Sequence, residues 1–347
     1  MTLNALPLWN AFETVLILGD YLDKPLHFFG FIMNDTLKTG NHSCSTEIVL
    51  LGFSDFQTWQ ELLFSLILIF YLIALMGNSL VLLLTFASPT LHTPMYFFLW
   101  NLSFLEIGYT SSISPKMLVN LLSERQTISL WGCGCQMYFF LLFGVTECCL
   151  LRVMAYDRYV AICKPLQYPY IMNYRECAIL AAVSWATGVF VGLGYSLLIF
   201  TLPFCGSNQI SHFFCDLIPV LRLASAYTYK NEVAISTITA LANVILFLLI
   251  LYSYILIIST ILLMPMSKDR HKAFSTCSSH LTVVCIFYGT IIFTYLGPYS
   301  ADSVDSNRIF ALLYTVVTPS LNPIIYSLRN KEIKVAFMKS LRKKWPF

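Results

Sequence analysis

The sequence predicts an all-α membrane protein: a seven-transmembrane helix bundle followed by a short amphipathic C-terminal helix. Composition, span length and the needs of the backbone in lipid lead there. Of 347 residues, 57% are hydrophobic and 15% aromatic, while only 11% are charged. A soluble chain carries about 25% charged residues, so this one cannot cover its surface unless most of that surface faces lipid. Seven stretches are long and apolar enough to cross ~30 Å of hydrocarbon, which takes roughly 20 helical residues. No water reaches the backbone there, so each stretch must be a helix rather than a strand. The net charge of +3 is too small to argue for nucleic acid, and none is expected as a partner.

In chain order, residues 1–61 form an N-terminal segment that is neither a secretory signal nor a span. It lacks a basic n-region and a small-residue cleavage site, and its apolar runs near Val15 and Phe28 are too short. Asn34-Asp35-Thr36 and Asn41-His42-Ser43 are glycosylation acceptors, usable only if this segment is outside the cell. Asn101-Leu102-Ser103 also matches but lies within a span, out of reach of the modifying enzyme. The membrane domain, 62–328, contains spans at Leu62 to Ala87, Met95 to about Val119, Cys133 to about Ile162, Ala178 to Phe200, Val233 to Met264, Ala273 to Leu296 and Ile309 to Leu328. Their connections are short apart from the one after Phe200, which predicts antiparallel neighbours. The fifth span, ~48 Å as a helix, must tilt or protrude, and is expected to protrude on the cytoplasmic side. Residues 329–347 place Ile333, Phe337, Met338 and Leu341 at helical spacing among basic residues, as an amphipathic helix on the anionic inner leaflet would.

The basic residues fix the orientation. With the even loops and the C-terminus inside, Arg158, Lys164, Arg175, Lys268, Arg270, Lys272, Arg329, Lys331, Lys334, Lys339, Arg342, Lys343 and Lys344 lie on one side. That is 13 of 21, against seven outside and Arg152 within a span. The N-terminus is therefore expected to be extracellular.

Ionisable groups inside a bilayer cost a few kcal/mol each and are functional candidates. Glu106 and Glu147 fall at similar depth in adjacent antiparallel spans, ~18 Å along the second helix from Pro94 and ~16 Å from Arg158 on the third. Two like charges in low dielectric cannot both stay bare. They share a proton, bind a small cation such as sodium, or face a hydrated cavity with polar neighbours such as Asn78, Ser103 and Asn322; two protonated carboxyls serving as packing contacts is the plainer alternative. In the last span Pro319 and Pro323 remove two backbone donors and leave the carbonyls of Thr315 and Pro319 without their usual partners, which predicts a kink. Asn322 is placed to bond freed backbone or a water, with Tyr326 one turn further on. Asp157-Arg158-Tyr159 ends the third span with an acid against an arginine, a local ion pair that can be released toward an incoming partner or can simply anchor the helix at the interface.

The combination of motifs is more specific than any one of them. Met154-Ala155-Tyr156-Asp157-Arg158-Tyr159-Val160-Ala161-Ile162-Cys163 closes the third span, and Lys272-Ala273-Phe274-Ser275-Thr276-Cys277-Ser278-Ser279-His280-Leu281 opens the sixth. Pro319-Ser320-Leu321-Asn322-Pro323-Ile324-Ile325-Tyr326-Ser327-Leu328-Arg329-Asn330 closes the seventh. With Gly77-Asn78, Pro94-Met95-Tyr96-Phe97-Phe98-Leu99, Trp185 and Ser253-Tyr254, the chain from about Glu47 to Lys344 resembles an odorant receptor of the rhodopsin-like G-protein-coupled superfamily, of the tetrapod-type class. The resemblance implies a receptor for small volatile odorants, in the plasma membrane of sensory cilia, that activates a heterotrimeric stimulatory (olfactory) G protein and raises cyclic AMP. It implies no catalysis and no cofactor beyond a sodium ion at Glu106 and Glu147.

Carried over, Asp157, Arg158 and Tyr159, with Tyr254, His280, Asn322, Pro323 and Tyr326, resemble the family's coupling switch. Tyr288 resembles the floor of its ligand pocket. Helical spacing then places pocket walls at Phe140, Leu141, Gly144 and Val145 of the third helix and at Ile291, Ile292 and Tyr295 of the sixth. Opposite them are expected Ile238, Thr239 and Ala242 of the fifth helix and Thr315 of the seventh, a mostly apolar set that suits lipophilic ligands. Cys133 and Cys215 match the superfamily's disulfide. Of the two further loop cysteines usual in the family, Cys205 is present but the other position is Ser225, so Cys205 either pairs with Cys44 or stays free. Arg152 stands where the family has a small apolar residue; it lies ~140° round the helix from Glu147 and must snorkel or find a partner on another helix. The family's usual length makes Met33 an expected natural start and residues 1–32 an extension. A transporter or channel is the competing class, but it predicts an internal repeat or a ring of charges, and the seven unlike spans have neither. An enzyme would need a metal cluster or an activated nucleophile, and the six histidines are dispersed.

Overall fold

The computed structural model describes residues 47–53, 58–225, 229–263, 265, 268–296, 304–329 and 331–344. Among these, seven long helices form a bundle: α1 (Gln60–Ala87), α2 (Pro94–Leu122), α3 (Leu130–Cys163), α4 (Tyr174–Phe200), α5 (Tyr229–Leu263), α6 (Lys268–Leu296) and α7. The last is composite, running as Val304–Leu312, a π-helical turn Leu313–Val317 and Thr318–Arg329, and α8 (Lys331–Lys344) follows it. The helices outrun the expected spans by one to five residues at most ends, because hydropathy marks only the apolar middle. Polar caps continue the backbone bonding beyond it: Ser129 Oγ accepts from Gly132 N at 3.0 Å and Asn173 Oδ1 from Glu176 N at 3.1 Å. α5, with 35 residues, is ~52 Å long.

Six of the described helices are long and apolar enough to cross a membrane. α2 is equally long but carries Asn101, Ser103, Glu106, Thr110, Ser114 and Asn120, all buried. Its polar residues face the bundle, and its exposed residues include Trp100, Phe104 and Val119. Asn101 illustrates this: its amide donates to Phe97 O at 2.9 Å and its Oδ1 accepts from Trp185 Nε1 of α4 at 3.0 Å, so the side chain is engaged within the bundle.

α3 is the central helix, packed on α2, α4 and α5, while α7 closes the ring against α1 and α6. Without a hydrophobic drive between helices in lipid, close approach depends on small residues. A Cβ at Gly188 of α4 would meet Thr146 Oγ1 at 2.0 Å and Leu142 O at 2.4 Å on α3. A Cβ at Gly77 of α1 would meet Pro323 Cγ at 2.7 Å on α7.

A small sheet that the sequence pattern does not announce caps the bundle at the α3 N-terminus. β1 (Glu47–Leu50) pairs antiparallel with β2 (Thr127–Ser129) and parallel with β3 (Gln209–Ile210). Strands of two to four residues leave too little periodicity to detect. The Cys133–Cys215 disulfide holds the β3 loop to α3, and Cys215 N donates to Gln136 Oε1 at 3.0 Å. Cys205 is also disulfide-bonded. Ser225, in the position of the missing cysteine, still ties the loop: its Oγ accepts from Cys205 N at 3.0 Å and its N donates to Pro203 O at 2.8 Å. Asn34, Asn41, Cys44 and Met33 lie outside the described residues. At the far end, Ile333 of α8 is buried against the bundle and Glu332 Oε2 accepts from Tyr96 OH at 2.8 Å, while Phe337 and Met338 stay exposed beside Lys334 and Lys339.

Gly188→Ala should destabilise the receptor, because the obstruction on α3 is partly backbone and cannot rotate away. Overpacking of this kind costs ~1–3 kcal/mol. The expected result is a lower melting temperature and folded yield in detergent, with no such loss for Gly194→Ala, where an added Cβ meets nothing within 4 Å.

Candidate functional site

At mid-bundle, α2, α3 and α7 bring the two acids together. Glu106 is 0% and Glu147 1% exposed, and their carboxyl groups stand within hydrogen-bond reach of each other. Asn322 Nδ2 of α7 donates to Glu106 Oε1. Asn322 therefore bonds the acid, not the freed backbone or water that its place beside Pro323 suggests. The freed carbonyl of Pro319 instead accepts from Asn78 Nδ2 of α1 at 3.3 Å, and the π-helical turn just before Pro319 is the expected distortion. Glu106 Oε2, Glu147 Oε1 and Asn322 Oδ1 receive no donor from the protein. Three buried, unsatisfied oxygens are what a shared proton or a small cation would occupy. Among the described residues no cluster of three or more His, Cys, Asp or Glu side chains is arranged to hold a metal.

Toward the capped end lies an aromatic chamber around Phe140 of α3. Its ring stands 5.7 Å from Tyr109 (α2), 5.0 Å from Phe214 (the β3 loop) and 6.1 Å from Tyr314 (α7), centroid to centroid. Leu141, Gly144 and Val145 are half-buried on the same helix, and Gly144 leaves an added Cβ 3.8 Å from Tyr109. Tyr288 of α6 is fully buried, stacks on Phe247 of α5 at 5.4 Å and donates to Cys148 O at 3.3 Å, one residue past Glu147. It thus separates the chamber from the acid pair. Ile291, Ile292, Ile238, Thr239 and Ala242 are half-buried, and the Thr239 hydroxyl lies beside Tyr195 of α4. Thr315 is completely buried in the π-helical turn with its hydroxyl donating to Ala311 O at 2.6 Å, so its side chain is already committed within α7. The Tyr295 side chain lies outside the described residues.

At the basic end, Arg158 is ion-paired to its neighbour Asp157, whose other oxygen accepts from Tyr168 OH at 2.8 Å. Burial and the Asp157 charge hold the Tyr168 phenol above its usual range, which keeps it a donor. Tyr254 of α5 and His280 of α6 are hydrogen-bonded and buried side by side, and Tyr326 of α7 is buried below the acid pair. Tyr159 sits outside this cluster, its ring near Tyr156 and under Lys164 Nζ at 5.8 Å. Arg152 is half-buried beside Cys149 and Tyr288.

An aromatic cluster, a buried acid pair and the Asp157–Arg158 pair share one seven-helix bundle, and comparison with known proteins decides its family. The family model for olfactory receptors matches residues 66–344. The chain belongs to the olfactory receptor family. It is 49% identical to human olfactory receptor 10P1 over 307 residues, 88% of this chain and 98% of that protein. It is 53% identical to human olfactory receptor 10A5 over 308 residues (88% and 97%) and 51% identical to human olfactory receptor 10C1 over 308 residues (89% and 99%). As an olfactory receptor it is a multi-pass membrane protein and not an enzyme.

Several residues of this olfactory receptor's chamber are absent from the set that helical spacing alone predicts. Phe214 was identifiable as the neighbour of Cys215, which the disulfide draws over α3, and Tyr109 as one turn from Glu106. Tyr314 was not, because the π-helical turn shifts the face it presents. His212 is buried against Phe213 and Phe214, with centroids at 4.6 and 4.7 Å, and Arg308 Nε donates to the adjacent Ser211 O at 3.2 Å. Burial, and secondarily the Arg308 charge, pull the His212 imidazole from 6.5 to about 3. An opened loop takes up a proton below ~6.5 that the closed loop refuses until about 3. The closed loop is therefore most stable above that range and weakens by up to ~1.4 kcal/mol per pH unit as pH falls through it. Proteolysis of the 201–225 loop should accelerate between pH 7.5 and 5, and His212→Gln should flatten that dependence.

Proposed function

We propose that this receptor binds small volatile, lipophilic odorants in the chamber between α3, α5, α6 and α7 and relays binding to a heterotrimeric stimulatory (olfactory) G protein that raises cyclic AMP. The observation that carries the reading is continuity along α3: Phe140 in the chamber, Glu147 in the acid pair and Arg158 at the basic mouth lie on one helix, ~27 Å from first to last. A ligand enclosed by rings and methyl groups is held by burial of its apolar surface, and the few hydroxyls orient it. Its effect on the mouth is limited to its differential affinity for the state in which Arg158 leaves Asp157. The 13 basic residues at the Arg158 side support a cytoplasmic mouth and an extracellular N-terminus carrying glycan at Asn41 or Asn34. We place the receptor in the plasma membrane, in sensory cilia.

The orphan oxygens of Glu106, Glu147 and Asn322 fit a sodium ion, which would supply positive charge to a buried pair that otherwise keeps a proton. A rearranged α7 would change that balance, so the acid pair would weigh the resting against the active state. This reading ranks above simple packing because three unsatisfied oxygens would otherwise stay desolvated.

Arg158→Ala should abolish odorant-driven cyclic AMP at matched surface expression while leaving odorant binding in place; a normal response would exclude coupling through this latch. Tyr288→Ala, a truncation in the chamber floor, should instead raise the half-maximal odorant concentration, by about tenfold for each ~1.4 kcal/mol of binding free energy that the ring supplies. Glu147→Gln should alter basal cyclic AMP and its dependence on sodium more than surface level. Unchanged values would favour the packing role.

A further inference from the structure

We infer that Thr239 and Asn243 of α5 form a polar subsite in the wall of the chamber that recognises a hydroxyl group, so that aliphatic alcohols are the class of odorant this receptor prefers. The inference rests on the odorant-binding reading above and adds the chemistry that orients the ligand. The buried threonines Thr85, Thr110, Thr146, Thr294 and Thr315 each turn the hydroxyl back along their own helix and donate to the carbonyl four residues earlier, at 2.6–2.8 Å. Such back-bonding satisfies a hydroxyl where no water reaches it. Thr239 departs from this pattern. Its Oγ1 is buried and lies beside Tyr195 of α4 without closing a hydrogen bond to it or to any other group. A desolvated hydroxyl with no partner is a standing cost that a ligand atom can remove.

Asn243, one turn along α5, supplies the complementary half. Its Nδ2 donates to Thr239 O at 2.9 Å, and its Oδ1 is turned toward α3, where the Cys148 thiol contacts it at 3.6 Å. A thiol is a weak donor, so Oδ1 keeps capacity for a stronger one. Two contacts place the pair against the chamber: Cys148 O accepts from Tyr288 OH at 3.3 Å, and Phe247, one turn beyond Asn243, stacks on the Tyr288 ring. Thr239, Asn243 and Phe247 thus share one face of α5, rising from the chamber floor along its wall. On α3, Gly144 lies one turn from Cys148 toward the capped end, and a Cβ there would meet only Tyr109, at 3.8 Å, so α3 leaves room at that level. Residues one helical turn apart carry Cβ atoms about 5–6 Å apart. Two hydrogen bonds of ~2.8 Å to a single oxygen span the same distance. One ligand hydroxyl therefore accepts from Thr239 and donates to Asn243. A carbonyl oxygen can only accept and leaves Asn243 Oδ1 as it was, while a hydrocarbon serves neither group. Thr239, Asn243, Tyr195 and Cys148 are all uncharged side chains, so a carboxylate would enter the subsite without a counter-charge.

The test measures binding without relying on cyclic AMP. Full-length receptor in lipid nanodiscs is titrated with the straight-chain alcohols from hexanol to decanol and with the matching aldehydes, alkanes and carboxylic acids, and stabilisation against thermal unfolding is recorded. Alcohols are expected to act at the lowest concentration, aldehydes next and alkanes last, with about three- to tenfold between the first and the last. Thr239→Val, which keeps the shape and removes the hydroxyl, should erase most of that gap, and Thr239→Ser should keep it. Thr294→Val removes a hydroxyl already committed within its own helix and should also keep it. Alkanes or carboxylic acids matching the alcohols on the wild type, or an undiminished gap in Thr239→Val, would overturn the subsite while leaving the odorant chamber standing. Stabilisation by no member of the four series would overturn the chamber itself and the subsite with it.

Discussion

The bundle is organised around two carboxyl groups that cannot both be charged. Glu106 and Glu147 are buried within reach of each other, and in low dielectric such a pair is tolerable only if something neutralises it. α2 turns Ser103, Glu106 and Thr110 inward together. α7 presents Asn322 because Glu106 needs a donor.

The distortion of α7 follows from the same place. A regular helix through Pro319 and Pro323 would strand carbonyls inside the bilayer, where each unsatisfied group costs several kcal/mol. The π-helical turn at Leu313–Val317 absorbs the first proline, and Asn78 of α1 takes the Pro319 carbonyl. That bond is possible because Gly77, its neighbour, lets α1 approach Pro323. Side chain, backbone defect and small residue thus form one device joining α1, α2 and α7. Such a joint has more than one way to satisfy its polar groups, and a helix that can exchange partners is what a two-state receptor requires.

Legibility in the sequence divides along physical lines. The seven helices are legible because ~30 Å of hydrocarbon imposes long apolar runs, and α2 is legible despite its polar content since Pro94 and the Glu106 depth fix its frame. The meeting of Glu106 with Glu147 follows from counting residues along antiparallel helices. Asn322 falls in the right neighbourhood but with a different partner, because a side-chain rotamer is not written in helical spacing. The chamber is half visible: Phe140 and Tyr288 lie on regular faces, whereas Tyr314 depends on a π-helical turn and Phe214 on a disulfide drawing a distant loop inward. Thr315, expected as a wall, turns its hydroxyl back to Ala311, as Thr110 and Thr146 do to the carbonyls four residues before them. The β1–β2–β3 sheet is invisible because its shortest strand is two residues long.

The cap and the latch respond to different forces, which bears on how binding could reach the mouth. At the capped end, covalent and backbone bonds hold the β3 loop over Phe140. At the basic end the polar contacts between α3, α5 and α6 are few among the described residues: Tyr254 of α5 bonds His280 of α6 and Cys163 Sγ of α3 lies 3.2 Å from Thr260 Oγ1 of α5, while Arg158 pairs with its own neighbour Asp157. Tyr288, stacked on Phe247 and bonded to the Cys148 carbonyl, ties α6 to both α5 and α3. If odorants bind at the proposed site, a stiff lid above and few polar cross-helix contacts below favour displacement of the α6 basic end, with the acid pair between the two.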